Sequence, residues 1–163
     1  MRFAITMCAA AMVLAACSGE KKADEAPAAA EAPAAAPAAP AAAPAGGPAA
    51  ITGKTVEVKM IGDDKGYRFE PAEITIAKGD GVKFVMVAGG PHNVAFDAAK
   101  VPAASKAQLD ANIPEKIGEL ASGMKMNPNE TIVISFAGVE AGTYEYFCTP
   151  HLAMGMKGKI IVQ

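Results

Sequence analysis

The chain has 163 residues, with 15 basic and 17 acidic side chains, three cysteines and a formal net charge of −2. This length allows one ordinary domain, or one domain with appendages. A nucleic-acid-binding protein needs clustered Lys and Arg, and the charges of this chain form no such cluster, so we expect no nucleic-acid partner.

Residues 1–16 have the pattern of an export signal. Arg2 precedes an apolar run that ends in small residues, and the run is shorter than the about 20 apolar residues that span a bilayer. The sequence Leu-Ala-Ala-Cys at residues 14–17 resembles the bacterial lipoprotein signal, in which the peptide is cut before the cysteine and the thiol carries the lipid. We therefore predict that Cys17 is lipidated. An ordinary signal peptide cut near Ala16 or Ser18 is the alternative.

Residues 17–50 are predicted to form a linker behind this anchor. Six of the 12 prolines lie between positions 27 and 48, in a tract that is otherwise almost all alanine. Proline lacks an N–H donor and biases the preceding residue towards extended backbone, which disfavours a helix despite the alanines. In the polyproline II conformation such a tract rises about 3.1 Å per residue, so it would hold a folded domain several nanometres from its anchor.

From residue 51 onwards the sequence has the pattern of a β domain. Short runs rich in Val, Ile and Phe are bounded by Gly, Asp and Pro. Apolar residues alternate within several runs, as at Ile132, Ile134 and Phe136, so one face of each strand is expected to be buried. Many short strands without a long helical pattern predict an antiparallel sandwich or barrel. The predicted strands are 55–61, 69–76, 82–88, 93–96, 131–136, 142–147 and 158–162.

The stretch 97–129 carries no clear strand pattern. Pro102 is suited to open a short helix over residues 103–110, and the Asn-Pro-Asn sequence at 127–129 indicates a turn. We assign no strand to this stretch.

The C-terminal part of the domain concentrates metal-binding donors. His151 follows Cys148 by three residues and Met156 lies five residues further on, so a tight loop after a strand can turn all three side chains towards one point. A second imidazole must come from His92, because the chain contains two histidines in all; a Gly-Gly-Pro turn precedes it. One thiolate, two imidazoles and a long axial thioether form the trigonal blue-copper set.

Each of these donors has another explanation when it is taken alone. A single cysteine is usually a small buried hydrophobe, and Met154 competes with Met156 because it also follows His151. A structural zinc site usually consists of Cys and His without Met. The metal site is favoured because both histidines and the one cysteine of the predicted domain belong to the same pattern.

The segment Pro91-His92-Asn93 and the Cys-x-x-His-x-x-x-x-Met loop resemble the plastocyanin branch of the small blue copper proteins, the cupredoxins. The resemblance covers roughly residues 55–163, and includes Gly-x-Tyr-x-Tyr-Phe before the cysteine and Gly-Lys-Ile-Ile-Val after the loop. It implies an all-β fold, the Greek-key antiparallel β-sandwich, over a domain of residues 51–163. It also implies one copper ion per chain, with the ligands His92, Cys148, His151 and Met156; the spacing of the family loop selects Met156 over Met154.

The resemblance implies one-electron transfer between redox partners by a copper ion that cycles between Cu(I) and Cu(II), and no enzymatic activity. Asn93 matches a family residue whose side chain hydrogen-bonds near the cysteine loop and ties the two ligand segments together. His151 is expected to be the electron port. The implied docking surface around it consists of Pro91, Leu152, Ala153 and Met154.

Two features depart from family members of plants and algae. Those proteins carry a Tyr beside the ligand cysteine and acidic clusters for a basic partner, whereas this chain has Phe147 and no acidic cluster at residues 97–100. We therefore expect docking to depend on a local apolar patch. Two histidines are too few for a copper oxidase or nitrite reductase with further copper centres. A copper carrier is the remaining alternative, and it would carry exposed Met and His donors.

Taken together, these patterns predict an exported monomer on the periplasmic or cell-surface side, anchored to a membrane through Cys17. Its expected partners are redox proteins, such as a cytochrome or a terminal reductase or oxidase.

Overall fold

The computed structural model describes residues 46–163. The predicted signal peptide (1–16), the predicted lipidation site Cys17 and the linker up to residue 45 lie outside the described residues. Within the described part no helix is long and apolar enough to cross a membrane. Its strands are β1 (Thr55–Asp63), β2 (Gly66–Glu70), β3 (Glu73–Ile76), β4 (Gly81–Ala88), β5 (Ala95–Phe96), β6 (Thr131–Ser135), β7 (Gly142–Phe147) and β8 (Lys157–Val162), and its helices are α1 (Ala103–Asn112) and a 3-10 turn (Leu152–Met154).

The strands form two sheets, with the orders β2-β1-β4-β6 and β3-β8-β7-β5. Side chains from both sheets share one core, so the predicted β-sandwich is confirmed. The antiparallel arrangement needs a correction, because β1 pairs in parallel with β4 and β3 pairs in parallel with β8. Apolar alternation records which face of a strand is buried and not which strand lies beside it. The sequence pattern therefore could not reveal the two parallel pairs.

The alternating apolar residues form the core as predicted. Successive side chains of a strand point to opposite faces of its sheet, so residues at period two reach the same interior. The centre is aromatic: the ring of Tyr146 lies edge-on to Phe69 and Phe84, with centroids 4.7 and 5.3 Å apart, an arrangement that aromatic pairs prefer. The predicted inward residues that are buried are Ile74, Ile76, Ile132, Ile134, Phe136, Tyr144, Tyr146, Ile160 and Val162.

Two predicted strands differ from the structure. The single strand 69–76 is wrong, because β2 and β3 belong to different sheets and Pro71 stands between them; proline offers no N–H to a ladder, so the chain leaves the first sheet there. The strand 93–96 is reduced to β5, because Val94 hydrogen-bonds to the stretch 97–129 instead of to a strand. The helix after Pro102 is confirmed and runs two residues past the predicted end, to Asn112.

Gly158 is predicted to be essential for this packing. It faces Tyr146 across the β7–β8 pair, and a Cβ at this position would lie 2.3 Å from Tyr146 Cζ and 2.7 Å from the carbonyl oxygen of Ala72. We expect Gly158→Ala to lower the free energy of unfolding by about 1–3 kcal/mol or more, because a packed core tolerates added volume poorly. Denaturant titration of the full chain measures this. Gly118→Ala is the control, since a Cβ there meets nothing within 4 Å; equal losses in the two variants would contradict the prediction.

Candidate metal centre

Three potential ligand atoms converge at one end of the sandwich. The sulfur of Cys148 lies 3.6 Å from His92 Nδ1 and 3.4 Å from His151 Nδ1, and the two nitrogens are 3.2 Å apart. His92 and Cys148 are fully buried and His151 is 6% exposed. The structure therefore brings together the thiol and both imidazoles that the sequence analysis selected.

The size and chemistry of this donor triangle fit one transition-metal ion. Edges of 3.2–3.6 Å leave room for an ion at roughly 2.0 Å from each imidazole and 2.3 Å from a thiolate, the bond lengths usual for such donors. No carboxylate belongs to the cluster among the described residues. A set of one soft sulfur and two imidazoles suits copper, and oxygen-preferring ions such as Mg²⁺ or Ca²⁺ would find no ligand here.

The orientation of His92 is set by a hydrogen bond on the far side of its ring. His92 Nε2 lies 2.9 Å from the carbonyl oxygen of Ala88, and a carbonyl can only accept, so Nε2 carries the proton. Nδ1 then presents its lone pair to Cys148. A backbone acceptor that fixes the tautomer of a ligand histidine in this way is a common feature of metal sites.

Burial keeps the three donors uncharged when no metal is bound. Burial lowers the pKa of His92. It also lowers the pKa of His151, and electrostatic repulsion from a protonated His92 lowers the pKa of His151 further. Burial also raises the pKa of the Cys148 thiol, against backbone hydrogen bonds from Asn93 and His151 that lower it. The imidazoles are therefore in the form that binds a metal, and a bound cation would have to displace only the thiol proton.

The loop between β7 and β8 is folded by its own backbone. The N–H of Cys148 donates to the carbonyl of Met156, and the N–H of Met156 donates to the carbonyl of His151. Gly155 ends the 3-10 turn in the left-handed region, at φ 85°, where glycine avoids the penalty of a Cβ. This turn buries Met156 completely and leaves Met154 58% exposed, so the geometry favours Met156 as the fourth donor.

The Gly-Gly-Pro turn before His92 packs closely against its neighbours and needs glycine at position 89. Gly89 has φ 75°, and a Cβ there would lie 2.4 Å from the Cα of Gly62. At Gly90 a Cβ would lie 2.5 Å from Met86 Cε. A side chain at Gly89 would therefore push the turn, and the histidine that follows it, away from the sandwich, whereas at Gly90 the end of the Met86 side chain could move aside.

Asn93 connects the two segments that carry the donors. Its side-chain oxygen accepts the backbone N–H of Thr149 at 2.8 Å, and its amide nitrogen donates to Thr149 Oγ1 at 3.1 Å and to the carbonyl of Ser122 at 3.3 Å. Asn93 is fully buried, so these bonds are shielded from competing water. They hold His92 and Cys148 in register with each other.

Sequence reasoning missed three residues of this site. The ring of Tyr67, in β2, stacks on His151 with 3.8 Å between centroids and an interplanar angle of 14°. Thr149 and Ser122 hydrogen-bond Asn93. Thr149 was detectable as the neighbour of Cys148, whereas Tyr67 and Ser122 are distant in the chain and carry no local signal.

The residues of the expected docking surface differ in exposure. Leu152 and Met154 are 38% and 58% exposed, and Pro91 is half-buried. His151 itself is almost covered, because Tyr67 stacks on its ring. The apolar surface at this end of the sandwich is therefore formed by the neighbours of His151 more than by the imidazole.

Comparison with known proteins places this site among copper sites. A family model described as copper binding proteins, plastocyanin/azurin family, matches residues 56–163. Plastocyanin of Rumex obtusifolius is 38% identical over 108 residues, which cover 66% of this chain and 100% of the relative. Chloroplastic plastocyanin of Physcomitrium patens is 42% identical over 105 residues, which cover 64% of this chain and 56% of the relative. The solved structure of oxidized plastocyanin from Dryopteris crassirhizoma is 29% identical with a TM-score of 0.47, and the match covers 66% of this chain and 100% of that one.

Replacing the buried thioether should change the reduction potential of the copper-loaded protein. Met156→Leu keeps the volume but would remove the thioether from the residues that would hold copper, and loss of this weak donor would destabilise Cu(II) more than Cu(I). We expect the potential to rise on the order of 60 mV, a tenfold preference for Cu(I) in a one-electron couple. Cyclic voltammetry measures the change. Met154→Leu is the matched control and should leave the potential unchanged; a shift in Met154→Leu alone would identify Met154 as the fourth donor.

Proposed function

We propose that this chain, which belongs to the plastocyanin/azurin family of copper-binding proteins, binds one copper ion through His92, Cys148, His151 and Met156. Like the other members of this family, the protein is a type 1 copper electron-transfer protein and not an enzyme. When bound, copper supplies the one-electron step by alternating between Cu(I) and Cu(II). The observation that carries the assignment of ligands is the buried triangle of one thiol and two imidazoles.

The protein's contribution is to hold its donors in one arrangement. The carbonyl of Ala88 fixes the ring of His92, and Asn93 ties that segment to Thr149 beside Cys148. A set of donors held in place before the metal binds has little freedom to rearrange when the charge of the ion changes. Such a site supports fast electron exchange, and burial excludes water that would otherwise bind to the ion.

The burial of the donors favours electron transfer over metal delivery. A copper carrier has to present its donors to the next protein, whereas here His92, Cys148 and Met156 are fully buried and His151 is 6% exposed. Release of the ion would require the loop 148–156 to open. The arrangement therefore supports retention of copper.

A titration with Cu(II) tests this proposal. We expect the full chain to develop an intense blue thiolate absorption band that saturates at about one copper per chain, with the narrow copper hyperfine splitting of a type 1 site in EPR. Ascorbate should bleach the band and oxidation should restore it. A colourless protein, or one that surrenders copper to a mild chelator, would instead support the carrier function.

We further propose that electrons pass through the apolar surface formed by Pro91, Leu152 and Met154 beside His151. The exposure of Leu152 and Met154 supports this, because exposed apolar side chains next to a redox centre allow a partner to approach closely and exclude water. The surface charges near the loop are of both signs, as in the ion pair Lys100–Glu145. Docking through one strongly charged patch is therefore not expected.

A charge at Leu152 is predicted to slow electron exchange without altering the copper site. We expect Leu152→Asp to lower the self-exchange rate between reduced and oxidised protein by about tenfold. The two introduced carboxylates, one from each molecule, would face each other at the contact, and their repulsion would be strengthened by the partial loss of water there. NMR line broadening of mixtures measures this rate, and the absorption spectrum reports on the site. Val133→Asp is the matched control. Val133 is an apolar residue with a similar exposure, 40%, but it lies on β6, which carries none of the donors and is not part of the proposed surface. Equal rates for wild type and Leu152→Asp would contradict the proposed port.

We also propose that the protein is exported and tethered to a bacterial membrane through Cys17, where it exchanges electrons with redox proteins such as a cytochrome or a terminal reductase or oxidase.

The fold supports a tether at the end opposite the metal centre. Residues 52–54 hydrogen-bond to Gly79 and Asp80, next to the first residue of β1, while Gly62 near its last residue packs on the Gly89 turn. A strand of nine residues spans about 30 Å. The metal end would remain accessible to partners.

If Cys17 is lipidated, replacing this one residue should change where the protein is found in the cell. Cys17→Ser in the full chain should move the protein from the membrane fraction of a bacterial host to the soluble fraction, because acyl chains supply the membrane affinity. Mass spectrometry of the wild-type N-terminus provides the direct measurement. An unlipidated wild type that begins at a residue other than Cys17 would support an ordinary signal peptide.

A further inference from the structure

Residues 121–126 form an irregular segment that pairs with the backbone of residues 92–95; we name it the strap. The N–H of His92 donates to the carbonyl of Lys125 at 3.0 Å, and the N–H of Lys125 donates to the carbonyl of His92 at 2.7 Å. A second bridge joins Ala95 to Ala121. The backbone that carries His92 is thus held by a segment that supplies no ligand.

Ser122 is the residue through which the strap reaches the donor segments. It is fully buried, and its N–H donates to the carbonyl of Val94 at 3.0 Å. Its carbonyl does not return the bond to Val94 but accepts the side-chain amide of Asn93 at 3.3 Å. Its hydroxyl oxygen accepts the N–H of Val94 at 3.0 Å instead.

The hydroxyl of Ser122 is the hydrogen-bond partner of the Val94 N–H. Val94 is fully buried, and a buried N–H without a partner is costly. Without the hydroxyl, the N–H of Val94 loses its hydrogen-bond partner, and a shift of Val94 towards the carbonyl of Ser122 would disturb the bond that this carbonyl accepts from Asn93. Asn93 is the residue that connects His92 to Thr149 and so to Cys148.

The strap itself is held from its outer side. A Cβ on Gly123 would lie 2.8 Å from the carbonyl oxygen of Glu115, so the two backbones are in close contact. The ammonium group of Lys125, whose side chain is only 13% exposed, lies 2.7 Å from a carboxylate oxygen of Glu115. These contacts prevent the strap from moving freely when a bond to the donor segment is lost.

We propose that Ser122 is a positioning residue for the copper site: its hydroxyl accepts the N–H of Val94 while its carbonyl accepts the side chain of Asn93, and the two bonds together fix His92 relative to Cys148. The inference rests on the proposed ligation of copper by these two residues. Ser122 contacts neither donor, and its effect passes through Val94 and Asn93. Loss of the hydroxyl should loosen the donor triangle without removing a ligand.

The test compares Ser122→Ala with a matched serine that lies elsewhere. Ser135 is also buried, and its hydroxyl oxygen accepts the N–H of Ala137 at 3.1 Å, but it lies at the end of β6 that faces the first residue of β4, away from the metal centre. We expect Ser122→Ala to release copper to a chelator about tenfold faster or more, the usual scale for partners of metal ligands, and to change the copper hyperfine splitting in EPR. Ser135→Ala should match wild type in both measurements. Equal release rates and spectra in wild type and Ser122→Ala would overturn the proposal.

Two further measurements separate positioning from simple packing. Ser122→Thr keeps the hydroxyl oxygen and should restore the wild-type hyperfine splitting; a Thr variant as altered as the Ala variant would overturn the role of the hydroxyl. In the metal-free wild type, the amide of Val94 should be protected from hydrogen exchange, and rapid exchange there would contradict the proposed bond. This last result does not depend on copper, so it remains decisive even if the wild type fails to form the blue band and the proposed function is itself wrong.

Discussion

The hydrogen bonds between Asn93 and Thr149 join two segments on which the whole site depends. Asn93 follows one donor and Thr149 follows another, and the two residues are 56 positions apart in the chain. Each bond contributes about 1 kcal/mol to stability, but a buried partner left unpaired would cost about 1–3 kcal/mol. The observed arrangement pairs the side-chain amide of Asn93 with both the backbone and the hydroxyl of Thr149. These bonds place the segment that carries His92 beside the segment that carries Cys148, so the donor triangle depends on them.

Burial gives the triangle its chemical character. The three donors are neutral without a metal, because burial raises the pKa of the thiol and lowers the pKa of both imidazoles. With a thiolate and two neutral imidazoles, a Cu(I) site carries no net charge and a Cu(II) site carries one positive charge. An apolar surrounding disfavours the charged state. The environment that retains the ion should therefore also favour its reduced form.

The stretch 97–129 includes the segment that pairs with the backbone of His92. It contains the helix α1, the strap and three non-glycine residues in left-handed backbone, Glu115, Leu120 and Asn129. Such conformations persist only where surrounding contacts hold them. Two examples of such contacts are the hydrogen bond that the N–H of Leu120 donates to the carboxylate of Asp110 and the close approach of Glu115 to Gly123. A stretch without a strand pattern is thus folded by tertiary contacts, and it supplies the backbone partners of His92.

The sequence by itself determined the features that depend on residue type and short spacing. Period-two alternation predicted the buried faces of β6, β7 and β8. Pro102 predicted the beginning of α1, and the Cys148–His151 spacing with a single further histidine predicted the three donors that meet in the structure. Local patterns carry this information because strand faces and loop ligands are set by neighbouring residues. Tertiary structure alone decided that both sheets are mixed, that Tyr67 stacks on His151, and that Ser122 holds Val94. Each of these depends on contacts between segments far apart in the chain, where spacing and alternation carry no information about which segments meet.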